Sequence, residues 1–178
     1  MPMRFLALTA TILGGILFAA GAARAQMTAP DKRDVIDEKM PFSTPYGAPI
    51  TLERATVVIR AAIAEAAKRG WLMNVAVLDS GGNLVAFERM DGAQLASISI
   101  AEHKARVAVR YRRPSRVFED AIQKLGYNYI MTLDDVIGSR GGIPLIENGR
   151  LIGAIGVSGG TGSQDEVVAT AGAAVVNK

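Results

Sequence analysis

The 178-residue chain contains no cysteine and a single histidine, His103. The first absence excludes a disulfide framework, a thiolate nucleophile, an iron–sulfur cluster and any cysteine-ligated metal; the second excludes a multi-histidine metal site within one subunit. Aromatic residues make up only 6 %, too few for a base-stacking surface. What is abundant is glycine, at 19 residues, together with 49 % hydrophobic against 21 % charged residues. That balance suits one globular domain with tight turns and close-packed small side chains, not a disordered tail.

The N-terminus reads as a targeting segment. Arg4 supplies a short positive region, Phe5 to Ala20 is mostly apolar, and Ala23-Arg24-Ala25 is a small-x-small cleavage pattern before Gln26. The apolar run is shorter than the ~20 residues of a membrane span, so residues 1–25 are expected to be a signal peptide. Cleavage near Ala25-Gln26 leaves 18 basic against 17 acidic residues and lowers the formal charge from +3 to +1. The basic balance is therefore no argument for nucleic acid. An exported, cysteine-free protein fits the periplasm or secretion, since it has no thiol to mispair.

Residues 26–49, with Pro41, Pro45 and Pro49 and a mixed-charge run, are expected to be an extended tether that wraps a surface or crosses to a neighbour. The domain proper is placed at residues 50–178. Thr51 caps an expected helix in which Leu52, Ala55, Thr56, Ile59, Ile63, Ala66 and Ala67 recur at helical spacing until Gly70. Met73 to Leu78 and Leu84 to Glu88 are expected strands around the turn Asp79 to Asn83. After the turn Met90 to Ala93, a helix carries Ile98, Ala101 or Glu102, Ala105, and Ala108 or Val109 on one stripe and ends before Arg112-Arg113-Pro114. Ser115 is expected to cap a helix from Arg116 to Leu125 that Gly126 stops.

Residues 127–137 read either as a partly ordered lid or as a short helix capped by Thr132. Gly141-Gly142 leads into a strand at Ile143 to Ile146, an Asn148-Gly149 turn and a strand at Leu151 to Val157. Ser163 with Glu166 is expected to form a capping box for a last helix through Ala173. This order predicts a single α/β domain of the α+β kind, with a central antiparallel sheet covered by helices, not the alternating pattern of a dinucleotide domain.

The blocks Val77 to Val85, Met90 to Ala93, Ala101 to Ala105, Arg113 to Ser115, Gly141 to Leu145 and Gly153 to Gly159 with Gln164-Asp165 resemble the GlcG/HbpS-like haem-binding family, related to the C-terminal domain of PduO proteins. The resemblance runs from about Leu52 to Ala173. It implies a profilin-like or roadblock-like domain that self-associates as a dimer or a larger ring or octamer. It also implies haem as a cofactor in some members, and in one exported member redox or haem sensing with a membrane partner kinase.

Under that resemblance the cofactor contacts fall on His103, Met90, Asp91, Gly141 and Gly142, with the neutral imidazole of His103 as the ligand of haem iron. The other reading of His103 is a hydrogen-bonded structural residue at a helix or subunit interface. Tyr127, Tyr129 and Met131 are fallback ligands. Adjacent helical residues face different ways, so Glu102, His103 and Lys104 cannot converge from one helix.

A competing expectation is a cofactor-free isomerase, tautomerase or lyase acting on a small 2-oxo or 2-hydroxy acid. There, Asp91 or Glu102 removes a proton while Lys104 or the Gly141-Gly142 amides stabilise an enolate. A third is a non-catalytic assembly module. Asp79, Asp91 and Asp165 are expected to accept backbone N–H bonds at turns and helix starts. No nucleotide is expected at Gly156 to Ser163, where the phosphate-loop lysine is missing and Asp165-Glu166 are acidic. Nor is nucleic acid expected at Arg106, Arg110, Arg112, Arg113 and Arg116, which suit salt bridges.

Overall fold

A computed structural model describes residues 42–177; the expected signal peptide and residues 26–41 of the expected tether lie outside them. The elements run α1 (Leu52–Lys68), β1 (Asn74–Asp79), β2 (Leu84–Arg89), α2 (Ala96–Arg110), α3 (Arg116–Leu125), a 3-10 helix (Asn128–Thr132), β3 (Gly142–Glu147), β4 (Arg150–Ser158) and α4 (Gly162–Ala173). The four strands form one antiparallel sheet in the order β2-β1-β4-β3. This is the expected α+β domain.

Alternation along the central strands divides the core into two layers. Val75 and Val77 of β1 and Ile155 and Val157 of β4 meet Val58, Ile59 and Ala62 of α1 and Val168 and Ala169 of α4. Ala76, Leu78 and Ala154 point the other way, against Ala101, Ala105 and Ala108 of α2. Each fully buried Val, Leu or Ile contributes about 1.5–3 kcal/mol, so the first layer carries most of the apolar stabilisation.

The second layer is thin, and that thinness is encoded by glycine. Gly142 and Gly156 are cross-strand partners. A Cβ at Gly142 would collide with Lys104 O, and one at Gly156 would meet Ala105 N at 2.5 Å. The α2 backbone therefore rests almost directly on the sheet.

Local signals explain the turns. Asp79 Oδ1 accepts from Gly81 N and Asn83 N at 2.8 and 2.9 Å, the turn role expected of it. Asn148 and Gly149 both take positive φ, 49° and 71°, as a two-residue hairpin requires. Thr51 caps α1. Gly126 ends α3 in the left-handed conformation.

Four expectations are corrected. The α1 stripe is rotated: Val58 and Ala62 are buried, whereas Leu52 is 62 % exposed. Ser115 does not cap α3, because its own backbone is already helical; its Oγ accepts from Gly142 N at 2.9 Å and ties α3 to β3. Thr132 ends the 3-10 turn instead of starting a helix. The capping box of α4 is Thr161 with Gln164, two residues earlier than Ser163 with Glu166, because Thr161 still holds the extended conformation a cap needs.

The described end of the tether lies along the sheet. Tyr46 bridges Leu151 in parallel, and its hydroxyl donates to Val109 O and Arg110 O at 3.2 and 3.0 Å.

Candidate functional site

Neighbouring residues of α2 meet different fates, as the helical period requires. Lys104 shares the buried stripe of Ala101, Ala105 and Ala108, is 1 % exposed, and forms an ion pair with Asp165 at 2.6 Å. Asp165 Oδ1 also accepts from Gly160 N at 3.0 Å. Burial pushes the Asp165 carboxyl above its ordinary range, against the pull of Lys104. A Cβ at Gly141 would sit 3.3 Å from Lys104 Nζ and 2.9 Å from Asp165 Cβ, so the glycine is the lid of this pair.

Glu102 and His103 are half-buried. His103 Nε2 is itself buried without a hydrogen-bond partner. At four-residue spacing His103 shares a helix face with Val107 and Tyr111. Val107 packs with Phe118, Ile130 and Val136, and Tyr111 lies against that cluster. The face of His103 is thus turned toward α3 and the segment that follows it, away from the sheet.

The residues assigned to the acid–base alternative are not brought together. Asp91 stands in the exposed turn between β2 and α2, while Lys104 is sealed in the core against Asp165. The Gly142 amide already donates to Ser115 Oγ. Met90 is half-buried in the same turn as Asp91, its sulfur accepting from Met73 N at 3.4 Å. Among the described residues no three His, Asp or Glu side chains are grouped to hold a metal ion.

Side chains of α3 and the following segment enclose an apolar hollow of about 450 Å³. Phe42, Val117, Phe118, Ala121, Leu125 and Ile130 form its walls, with Tyr127 and Tyr129 beside them; Arg113 and Asp120 are its charged residues. The Arg113 guanidinium lies 3.4 Å from the centroid of the Phe42 ring and 5.4 Å from that of Phe118. Burial pushes its pKa down, with Arg112 adding repulsion, and such a desolvated cation gains more from an incoming carboxylate than an exposed one. Met131 is 59 % exposed and takes no part in this lining.

The segment 126–140, which carries both tyrosines, is fastened at several points. Tyr111 Oη donates to Asp134 O at 2.9 Å, and Arg110 pairs with Asp135. At its far end Arg140 donates through Nε to Glu119 Oε1 and through its backbone N to Glu119 Oε2, both at 2.7 Å. Burial would raise the Glu119 carboxyl, but the Arg140 hydrogen bonds outweigh it and hold the carboxyl below its ordinary range. Of the arginines read as a basic cluster, Arg112 donates to Thr44 O at 3.2 Å and Arg116 pairs with Asp120 and Glu166.

The sequence reading missed this hollow and the Lys104–Asp165 pair. Lys104 carried a usable signal, since it falls on the alanine stripe. The hollow carried none, because Phe42, Arg113 and Tyr129 are far apart in sequence and only packing brings them together.

The family model described as "Haem degrading protein HbpS-like" matches residues 50–174. The protein GlcG of Escherichia coli K12 is 38 % identical over 109 residues, spanning 61 % of this chain and 81 % of GlcG. A double mutant of Streptomyces reticuli HbpS superposes with a TM-score of 0.68 at 31 % identity, covering 81 % of this chain and 98 % of that one. A structure of a PduOC:heme complex superposes with a TM-score of 0.67 at 29 % identity, covering 73 % of this chain and 96 % of that one.

Proposed function

This chain belongs to the HbpS-like family, and on that premise we propose that it is a haem-binding protein whose apolar hollow takes the porphyrin. The observation that carries the reading is a half-buried guanidinium, Arg113, in a hollow otherwise walled chiefly by aliphatic and aromatic side chains. A volume of about 450 Å³ lies in the range of small-molecule sites. The chemistry fits the group on three counts. Phe42, Phe118 and Ile130 offer apolar contact to a flat macrocycle, Arg113 offers charge-assisted hydrogen bonds to its carboxylates, and Tyr129 offers a phenolic oxygen as iron ligand.

Haem, when bound, supplies an iron centre whose redox behaviour follows from its axial ligand, hydrogen bonding and burial. The chain's own residues then bind, orient and exclude water. Asp120, ion-paired with Lys124 at 2.9 Å, keeps its negative charge compensated at the edge of the hollow. His103 lies outside the lining of this hollow.

The fuller reading is an exported, self-associating haem-handling protein, acting in the periplasm or after secretion and able to report redox or haem status to a membrane sensor. The signal-like N-terminus supports export. The family supports self-association.

Hemin titration of the chain from Gln26 onward, followed by absorbance and native mass spectrometry, tests the proposal. Saturable binding is expected, weakened about tenfold by Arg113→Ala through loss of a charge-assisted contact. Tyr129→Phe is expected to shift the Soret band and His103→Ala to leave it. The reverse pattern assigns the iron to His103, and binding no stronger than to an unrelated protein overturns the reading.

A further inference from the structure

A second hollow, of about 340 Å³, opens where three connections meet. Gly70 to Met73 of the α1–β1 loop form one side, Gly92 and Gln94 of the β2–α2 turn another, and Gly159 and Gly160 with Gln164 of α4 the third. No residue lining it is charged, in contrast to the hollow that holds Arg113 and Asp120.

Its walls are largely backbone, and the fold keeps them so. A Cβ at Gly159 would collide with Leu72 O and lie 2.9 Å from Met73 Cα, and one at Gly160 would collide with Gln164 Oε1. Gly92, at φ +79°, occupies a conformation that side chains disfavour.

The two glutamines are fixed with opposite halves free. Gln164 Oε1 accepts from Thr161 N at 2.8 Å, which leaves its Nε2 to donate. Gln94 Nε2 donates to Ser97 Oγ at 2.6 Å, which leaves its Oε1 to accept. Behind Gln94 a buried polar cluster holds the turn in place. Asn74, fully buried, donates through Nδ2 to Gln94 O at 3.2 Å and Ser158 O at 3.4 Å, and Ser158 Oγ meets Ser97 Oγ at 3.1 Å. Trp71, the one tryptophan of the chain, adds an aromatic wall, steadied by the Arg69 guanidinium 5.1 Å from its ring centroid.

The geometry points to a binding site for a small uncharged polyhydroxyl compound of monosaccharide size. A hydroxyl both donates and accepts, so vicinal hydroxyls match one amide that donates and one that accepts. A sugar ring has an apolar face suited to an aromatic wall. An anion is disfavoured because the lining holds no cationic side chain and the buried Lys104 is already paired with Asp165. A cation finds no carboxylate in the lining.

Trp71 is the reporter for the test. Its emission is followed while the protein is titrated with methyl glucoside, methyl galactoside and methyl mannoside, with glucuronate and glucosamine as charged rings of the same size. A saturable change is expected with at least one neutral glycoside, and weaker binding of both charged sugars. Gln164→Glu retains an acceptor for Thr161 N, and so the helix cap, but removes the Nε2 donor; the affinity is expected to fall about tenfold, as for one lost hydrogen bond, with unfolding nearly unchanged. Gly159→Ala, whose Cβ would push the Leu72-Met73 wall away, is expected to abolish the response. Absence of a saturable change with all three neutral glycosides, tighter binding of the charged rings, or an unaltered affinity in Gln164→Glu overturns the inference.

Discussion

The two hollows are built from different materials. The apolar one is enclosed by side chains from α3, the segment after it and the described end of the tether, and it includes two opposite charges. The neutral one is enclosed mainly by turns, of which Gly159 leaves no room for a side chain, with two fixed glutamines as its polar side chains. A wall of side chains takes its shape from rotamers and packing and yields to a bulky ligand. A wall of backbone keeps its shape as long as the turns fold, and suits a small ligand read by hydrogen bonds.

The largest break in that contrast comes at the buried ion pair beneath the neutral hollow. Lys104→Met leaves Asp165 buried without its counter-charge, and a loss of about 3–5 kcal/mol in urea unfolding is expected. Adding Asp165→Leu should restore most of it, whereas a loss below about 1 kcal/mol would mean that the pair is hydrated.

Gly159→Ala comes next, with an expected loss of about 1–3 kcal/mol from overpacking against Leu72 and Met73. Hemin uptake at the apolar hollow should be unchanged, and a parallel loss there would show that the two hollows are not independent.

Acid is expected to separate the hollows further. Because the Glu119 carboxyl is held below its ordinary value of 4.5, its latch to Arg140 stabilises the fold above that pH and is lost as the pH falls through the lowered value. Asp165 is raised instead, so its protonation on the way down relieves a burial cost and the same window removes no stability there. Protection against hydrogen exchange, taken relative to the intrinsic amide rate at each pH, should therefore fall in segment 126–140 below about pH 4.5 before it does in residues 159–164. The opposite order would contradict the assigned directions.

The smallest effect is expected at Arg116, which links Asp120 of the apolar hollow to Glu166 of α4, at 3.4 and 3.5 Å, with its side chain 49 % exposed. Arg116→Ala should cost less than about 1 kcal/mol in the same unfolding measurement, as exposed pairs do.

The elements were largely legible in sequence because each carried its own local signal. Periodicity gave α1 and α2, Asn148-Gly149 gave the last hairpin, and Gly126 marked the end of α3. The misses fell where a local signal had two equivalent uses. Ser115 and Ser163 both look like helix caps, yet the backbone at Ser115 is already helical and Thr161 takes the cap of α4. Spacing put Lys104, one residue from the candidate ligand His103, on the alanine stripe, but could not say that its partner is Asp165, 61 positions away.

What the sequence by itself determined is the order of helices and strands, the α+β class and the turns, because these follow from contacts within a few residues and from the conformational freedom of glycine. Tertiary structure alone decided which charges are buried, which aromatic rings meet Arg113, and which glutamine atoms remain free. Those outcomes depend on the approach of segments remote in the chain, where burial and steric exclusion act on groups that local pattern treats as equivalent.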